Sequence, residues 1–120
     1  MTDIEAFIAE SILTLGISPH VKGYHYIIKC ILWYLERRQP DLELTAKMYP
    51  ALAEYYHSSA GSVERAIRHA IRTGWERRDR KFADVVFMNS LQSKADVPTT
   101  SLFITGVALW VKREKPEFFT

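Results

Sequence analysis

Cysteine occurs once in this chain of 120 residues, at Cys30. That excludes a disulfide within the chain, and the apolar surroundings from Tyr24 to Leu35 point to a buried thiol in a reducing compartment. No stretch reaches the roughly 20 consecutive apolar residues of a membrane span, and no basic segment followed by an apolar block marks a secretory signal. A cytoplasmic location with no membrane partner is expected. Polar–apolar alternation never runs long enough for a β-strand, and internal repeats and low-complexity tracts are absent as well.

The chemistry of catalysis is equally thin. There is no Gly-rich phosphate loop and no nucleophile elbow. His20 and His25 lie five apart, which does not place two ligands on one helical face, and His57 falls in an expected turn. No enzyme, metal site, cofactor or small-molecule substrate is expected. The formal net charge is only +2, modest for a nucleic-acid binder, but it is unevenly spread. From Ser62 to Lys81 the chain carries Arg65, Arg68, Arg72, Arg77, Arg78, Arg80 and Lys81 against Glu64, Glu76 and Asp79, a local excess suited to attracting phosphate.

What the sequence does contain is helical periodicity almost throughout. With 48% hydrophobic and 25% charged residues, it can bury one core and has room for one domain over residues 1–120. Ile4, Phe7, Ile8, Ile12 and Leu15 recur at helical spacing, with Thr2 and Glu5 set as a capping box and Gly16 as a stop. Pro19 is expected to open a second helix running to Arg37 and Arg38, broken by Gln39-Pro40-Asp41. A short helical piece is expected over Leu42–Met48, another helix over Phe82–Leu91, and a polar loop over Gln92–Thr100. The last helix is expected to start from a cap at Thr99 or Thr100. These elements describe an all-α fold of five to seven helices.

The most informative run is Ser62 to Trp75. Wound as a helix with Glu64 at zero, it places Val63, Ala66, Ile67, Ala70, Ile71 and Gly74 between about 200° and 340°. Glu64, Arg65, Arg68, His69 and Arg72 fall between about 0° and 140°. One side suits a core and the other an anion. Before it, Pro50 suits the first turn of a short helix with Leu52, Ala53 and Tyr56 on one stripe, and Ser58 or Ser59 suits the cap of the next. Short helix, tight turn and longer helix, over about residues 50–77, make a helix-turn-helix, with small Ala53 facing Val63 and Ala66 to bring the two axes close.

Val63-Glu64-Arg65-Ala66-Ile67-Arg68-His69-Ala70-Ile71, with Trp75 four residues on, resembles the recognition helix of the C-terminal effector domain of the stage-zero sporulation response regulator family. Gly16-Ile17-Ser18-Pro19-His20-Val21-Lys22-Gly23-Tyr24 resembles that family's approach to its second helix. Met48-Tyr49-Pro50 resembles the segment before its first motif helix, and Pro98-Thr99-Thr100-Ser101 is a fainter likeness to the start of its last helix. The resemblance implies sequence-specific binding of double-stranded DNA in transcription regulation. It also implies pairing, either of two copies on tandem sites or with a full-length regulator.

A carboxylate can accept from cytosine N4, and an arginine fork can donate twice to guanine, so Glu64 and Arg65, with Ser62 before them, are the expected base readers. The resemblance assigns Glu64 and Arg65 the same roles. It assigns Arg68 and His69 largely to backbone phosphates. Arg72 on the same face and Ser59 at the helix start join that set. For His69 a neutral surface imidazole is the other reading.

Two departures from the family pattern stand out. Gly61-Ser62 occupies the place of Ser-Arg, removing one arginine at the front of the helix, and only Lys94 remains of the lysines before the last helix. No receiver domain is expected before the module, since the start at Met1-Thr2-Asp3 suggests a free-standing effector. The competing function is a protein–protein interaction module that no longer reads DNA and pairs with a full-length regulator. It is motivated by the aromatic tail around Trp110, Phe118 and Phe119.

Overall fold

Helix ends in this chain are set by short polar side chains and by residues that turn left-handed. The structure, a computed structural model, describes residues 2–36, 47–88 and 96–119. Thr2 and Glu5 form the expected reciprocal cap. The Thr2 hydroxyl accepts from the Glu5 amide at 3.2 Å, and the Thr2 amide donates to the Glu5 carboxylate at 3.4 Å. This opens α1 (Asp3–Thr14). Gly16, at φ +96°, stops it, and the Ile17 amide reaches back to the Ile12 carbonyl at 2.9 Å while the Ile17 side chain enters the core.

The second helix starts later than Pro19. The Ser18 hydroxyl accepts from the His20 amide at 3.1 Å, and the Val21 amide donates to the Ser18 carbonyl at 3.2 Å. These local bonds hold residues 18–22 in turns, so α2 spans Gly23–Glu36. Its expected end at Arg37-Arg38, the break at Gln39-Pro40-Asp41 and most of the Leu42–Met48 piece lie outside the described residues.

Helix α3 (Tyr49–Tyr55) carries Pro50 in its first turn, and α4 (Ala60–Gly74) continues into a 3-10 turn, Trp75–Arg77. The next helix, α5, covers Arg80–Phe87. It begins two residues early because Asp79 caps it, accepting from the Phe82 amide at 3.0 Å, and it ends at Phe87 because Met88 turns left-handed at φ 47°. Of the two candidate caps for α6 (Thr100–Glu114), Thr99 serves, accepting from the Leu102 amide at 3.1 Å. A last 3-10 turn spans Pro116–Phe119. The described residues are all-α, with no strand among them, and none of their helices is long and apolar enough to cross a membrane.

Helix α2 lies at the centre, against α1, α4 and α6, while α3 packs on α4. Ile8, Ile12, Ile27, Ile31, Ile67 and Phe103 are fully buried between them. Cys30 is buried with them, and burial pushes its thiol up to about 12, so it is protonated and unreactive.

Two glycine contacts fix the spacing of these helices. At Gly23 an added Cβ would run into the Ala66 carbonyl and lie 2.9 Å from the Ala70 Cβ, so α2 and α4 meet backbone to backbone. Close approach to Ala66 thus comes from Gly23 of α2. Ala53 of α3, the small residue expected on the α4 side, is buried as well. At the second contact, Gly16 and Gly74 touch through their backbones, and the Arg77 guanidinium donates to the Gly16 carbonyl at 3.2 Å. The Asp79 amide closes the same corner on the Thr14 carbonyl at 2.9 Å.

Replacing Gly23 by alanine forces these two helices apart and is expected to destabilise the fold by about 1–3 kcal/mol, read as a lower denaturant midpoint. An unchanged midpoint would show that the two backbones are not in contact.

Candidate nucleic-acid interface

The chain turns from α3 into α4 within four residues. His57 adopts the left-handed conformation at φ 55°, and the Ser58 amide donates to the Ala53 carbonyl at 2.8 Å, closing the end of α3. Ser59 is extended and caps α4, its hydroxyl accepting from the Ser62 amide at 3.2 Å. Of the two serines suggested by the sequence, Ser59 is the one that caps.

The Ser59 hydroxyl also donates to the Ser62 hydroxyl at 2.9 Å, and Ser62 accepts from the Arg65 guanidinium at 3.4 Å. Arg65 is thereby drawn back along the first turn of the helix. Gly61 leaves the space for it: a Cβ there would meet only the Arg65 guanidinium, its Nη1 at 3.3 Å and its Cζ at 4.0 Å. The glycine that replaces a larger residue in the resembling pattern therefore clears the path of this arginine.

One turn on, Arg68 donates to the Glu64 carboxylate at 3.0 Å, with side-chain exposures of 51% and 32%. Arg65, His69 and Arg72 are exposed, while Val63, Ile67, Ala70 and Ile71 are buried on the opposite side. The structure therefore puts Ser62, Glu64, Arg65, Arg68, His69 and Arg72 on one open side of α4, with Ser59 at its start. Among the described residues, Arg65 and Arg68 are exposed.

Sequence reasoning missed what borders this side. A groove runs between Arg68, Ile71 and Arg72 of α4 and the segment Val97–Thr100 that leads into α6. Thr99 and Thr100 were readable only as cap candidates, because nothing local says that the start of α6 folds alongside α4. Lys94, singled out in the sequence, lies outside the described residues.

Tyr49 is buried at the first position of α3. Burial pushes the Tyr49 phenol up to about 12, helped by Cys30 and Glu64 and opposed by the Thr100 side chain and by Arg68.

Residues 8–111 match the family of the sporulation initiation factor Spo0A C-terminal domain. The chain belongs to that family. The Spo0A C-terminal family is one of DNA-binding effector domains in transcription regulation, not an enzymatic one. The matched span takes in the whole described part of the α3–turn–α4 unit and the groove beside it.

Two measurements probe this site. Ser59→Ala removes the cap and is expected to lower stability by about 1 kcal/mol, whereas Ser59→Asp retains most of it; equal losses in the two variants would contradict the capping role. Because the folded Tyr49 pKa is raised, its contribution to stability is full below the ordinary phenol value of 10 and is lost as pH rises through about 12. Unfolding free energy measured at stepped pH should therefore fall less steeply over that window in Tyr49→Phe than in the wild type.

Proposed function

We propose that the chain is a sequence-specific double-stranded-DNA-binding transcription regulator that uses α3 and α4 as a helix-turn-helix, with α4 in the major groove. The observation that carries this reading is the open polar side of α4 set directly against a fully buried apolar side, in a chain of the Spo0A C-terminal family. Such a helix is only about as wide as the major groove, and its N-terminal turns lead.

Arg65 is the guanine reader, donating from both guanidinium nitrogens to O6 and N7, and Glu64 accepts from a neighbouring cytosine N4. Ser62, at the first turn, is the third base contact. Arg68, His69, Arg72 and Ser59 hold phosphates and set the register.

In the free protein Glu64 and Arg68 satisfy each other at 3.0 Å. An exposed pair of this kind is worth only about 0–1 kcal/mol, so DNA can separate the two partners and give each a better one. The bond between Arg65 and Ser62 is equally weak to break, at 3.4 Å between exposed groups. Both long side chains are thus held near their working positions without being locked there.

Two copies on tandem sites, or one copy beside a full-length regulator, are the assemblies that accompany this function. Of the three aromatics that motivate the interaction-module reading, Trp110 is buried and stacks on Phe7 at 5.1 Å, with Phe82 against its edge at 5.0 Å, while Phe118 and Phe119 are exposed. The Trp110 ring belongs to the core.

Selection of bound duplexes from a random pool supplies the preferred element. On that element Arg65→Ala is expected to lose about 1–3 kcal/mol of affinity and to relax the choice at one base pair. Arg72→Ala should weaken all sequences alike and reduce the slope of log K against log salt by about 1. Binding that ignores Arg65→Ala and shows no salt dependence overturns the proposal.

A further inference from the structure

Seven residues from Trp75 to Lys81 contain four of the chain's cations, and their structural duties differ. Arg77 donates to the Gly16 carbonyl at 3.2 Å. Arg78 lies over the Trp75 ring with its guanidinium carbon 4.3 Å from the centroid, and it donates to the Trp75 carbonyl at 2.7 Å. Both serve the end of α4, where cations and exposed carbonyls suit each other.

Among the described residues, Arg80 and Lys81 have no such partner. They are exposed and occupy the first two positions of α5, behind the Asp79 cap. Positive charge at a helix N-terminus opposes the helix dipole, so both residues sit where they weaken the fold slightly. They also crowd like charges: burial and the neighbouring Arg80 hold the Arg78 guanidinium below its usual range, with Asp84 opposing. Local stability does not account for two exposed cations at this corner.

Their place relative to α4 accounts for them. Helix α4 has 15 residues, which at the helical rise is about 22 Å, while the major groove is about 12 Å wide. With the N-terminal turns of α4 at the bases, its far end reaches beyond the groove and arrives at the sugar–phosphate wall. The 3-10 turn and the start of α5 follow immediately there, and the corner is pinned by the Gly16–Gly74 contact and the Asp79 amide on Thr14.

We infer that Arg80 and Lys81 form a second phosphate-binding surface that grips the DNA backbone flanking the element read by α4. The inference rests on the proposed insertion of α4 in the groove. It enlarges the footprint on the side of the helix C-terminus and strengthens binding to every sequence equally, since phosphates carry no base information.

The test uses the full chain carrying Arg80→Gln and Lys81→Gln together, on the selected element and on a scrambled duplex across a range of salt. The slope of log K against log salt is expected to fall by about 2, with the ratio between the two duplexes unchanged. Trimming the duplex from one end should bring the wild type down to the level of the double variant, while the variant barely responds. Thermal melting should show the variant as stable as the wild type or slightly more so, which separates a lost contact from a damaged fold.

An unchanged slope, or a wild type indifferent to trimming at either end, overturns the inference. Arg65→Ala on the same duplexes separates the two levels. Loss of sequence choice there with an unchanged slope in the double variant rejects the flanking surface alone. A reduced slope in the double variant, with sequence choice intact in Arg65→Ala, rejects the base-reading assignment and keeps the surface.

Discussion

Everything that α4 presents to the outside depends on how deeply its other side is sunk. Gly23 lets the backbone of α2 reach the backbone of α4 at Ala66, and Gly16 meets Gly74 in the same way at the helix end. On the same side of the helix Val63, Ile67, Ala70 and Ile71 are enclosed completely. Packing at that density leaves no rotational freedom about the helix axis, so the angular position of Arg65, Arg68 and Arg72 is dictated by apolar groups that never touch them. The cationic side is a consequence of the buried one.

On that fixed rod the polar groups are held loosely. Ser59 caps the helix and engages Ser62, which engages Arg65, while Glu64 engages Arg68 one turn on. Each link is an exposed hydrogen bond or ion pair, worth little against water but enough to bias a long side chain toward one region. The core supplies rigidity and the surface keeps exchangeable partners, the combination that a surface meant to trade its own contacts for those of a ligand requires. The segment Val97–Thr100 at the start of α6 lies beside Arg68, Ile71 and Arg72 and forms one wall of the groove.

Much of this was legible in the residue order because it rests on local rules. The capping box at Thr2 and Glu5, the left-handed stop at Gly16 and the division of α4 into two sides follow from spacing and side-chain type, and all three appear in the structure. Local rules also explain the misses. Pro19 suits a first helical turn, but the Ser18 hydroxyl captures the His20 amide and delays α2 to Gly23. The segment after Phe82 keeps its apolar period to Leu91, yet Met88 turns left-handed and ends α5, a choice that period alone does not encode. Trp110 looked like an interface aromatic because its partners, Phe7 and Phe82, are far away in the chain.

The order of residues alone determined that the chain is helical, where most helices are capped, and that one helix carries arginine on one side and aliphatic groups on the other. These properties depend on neighbours within four positions, and the chain carries that information directly. Only the tertiary structure decided which helices touch through glycine, and that the start of α6 lines the groove beside Arg68 and Arg72. Those are relations between segments far apart in sequence, fixed by which apolar surfaces fit together, and no local pattern records the fit.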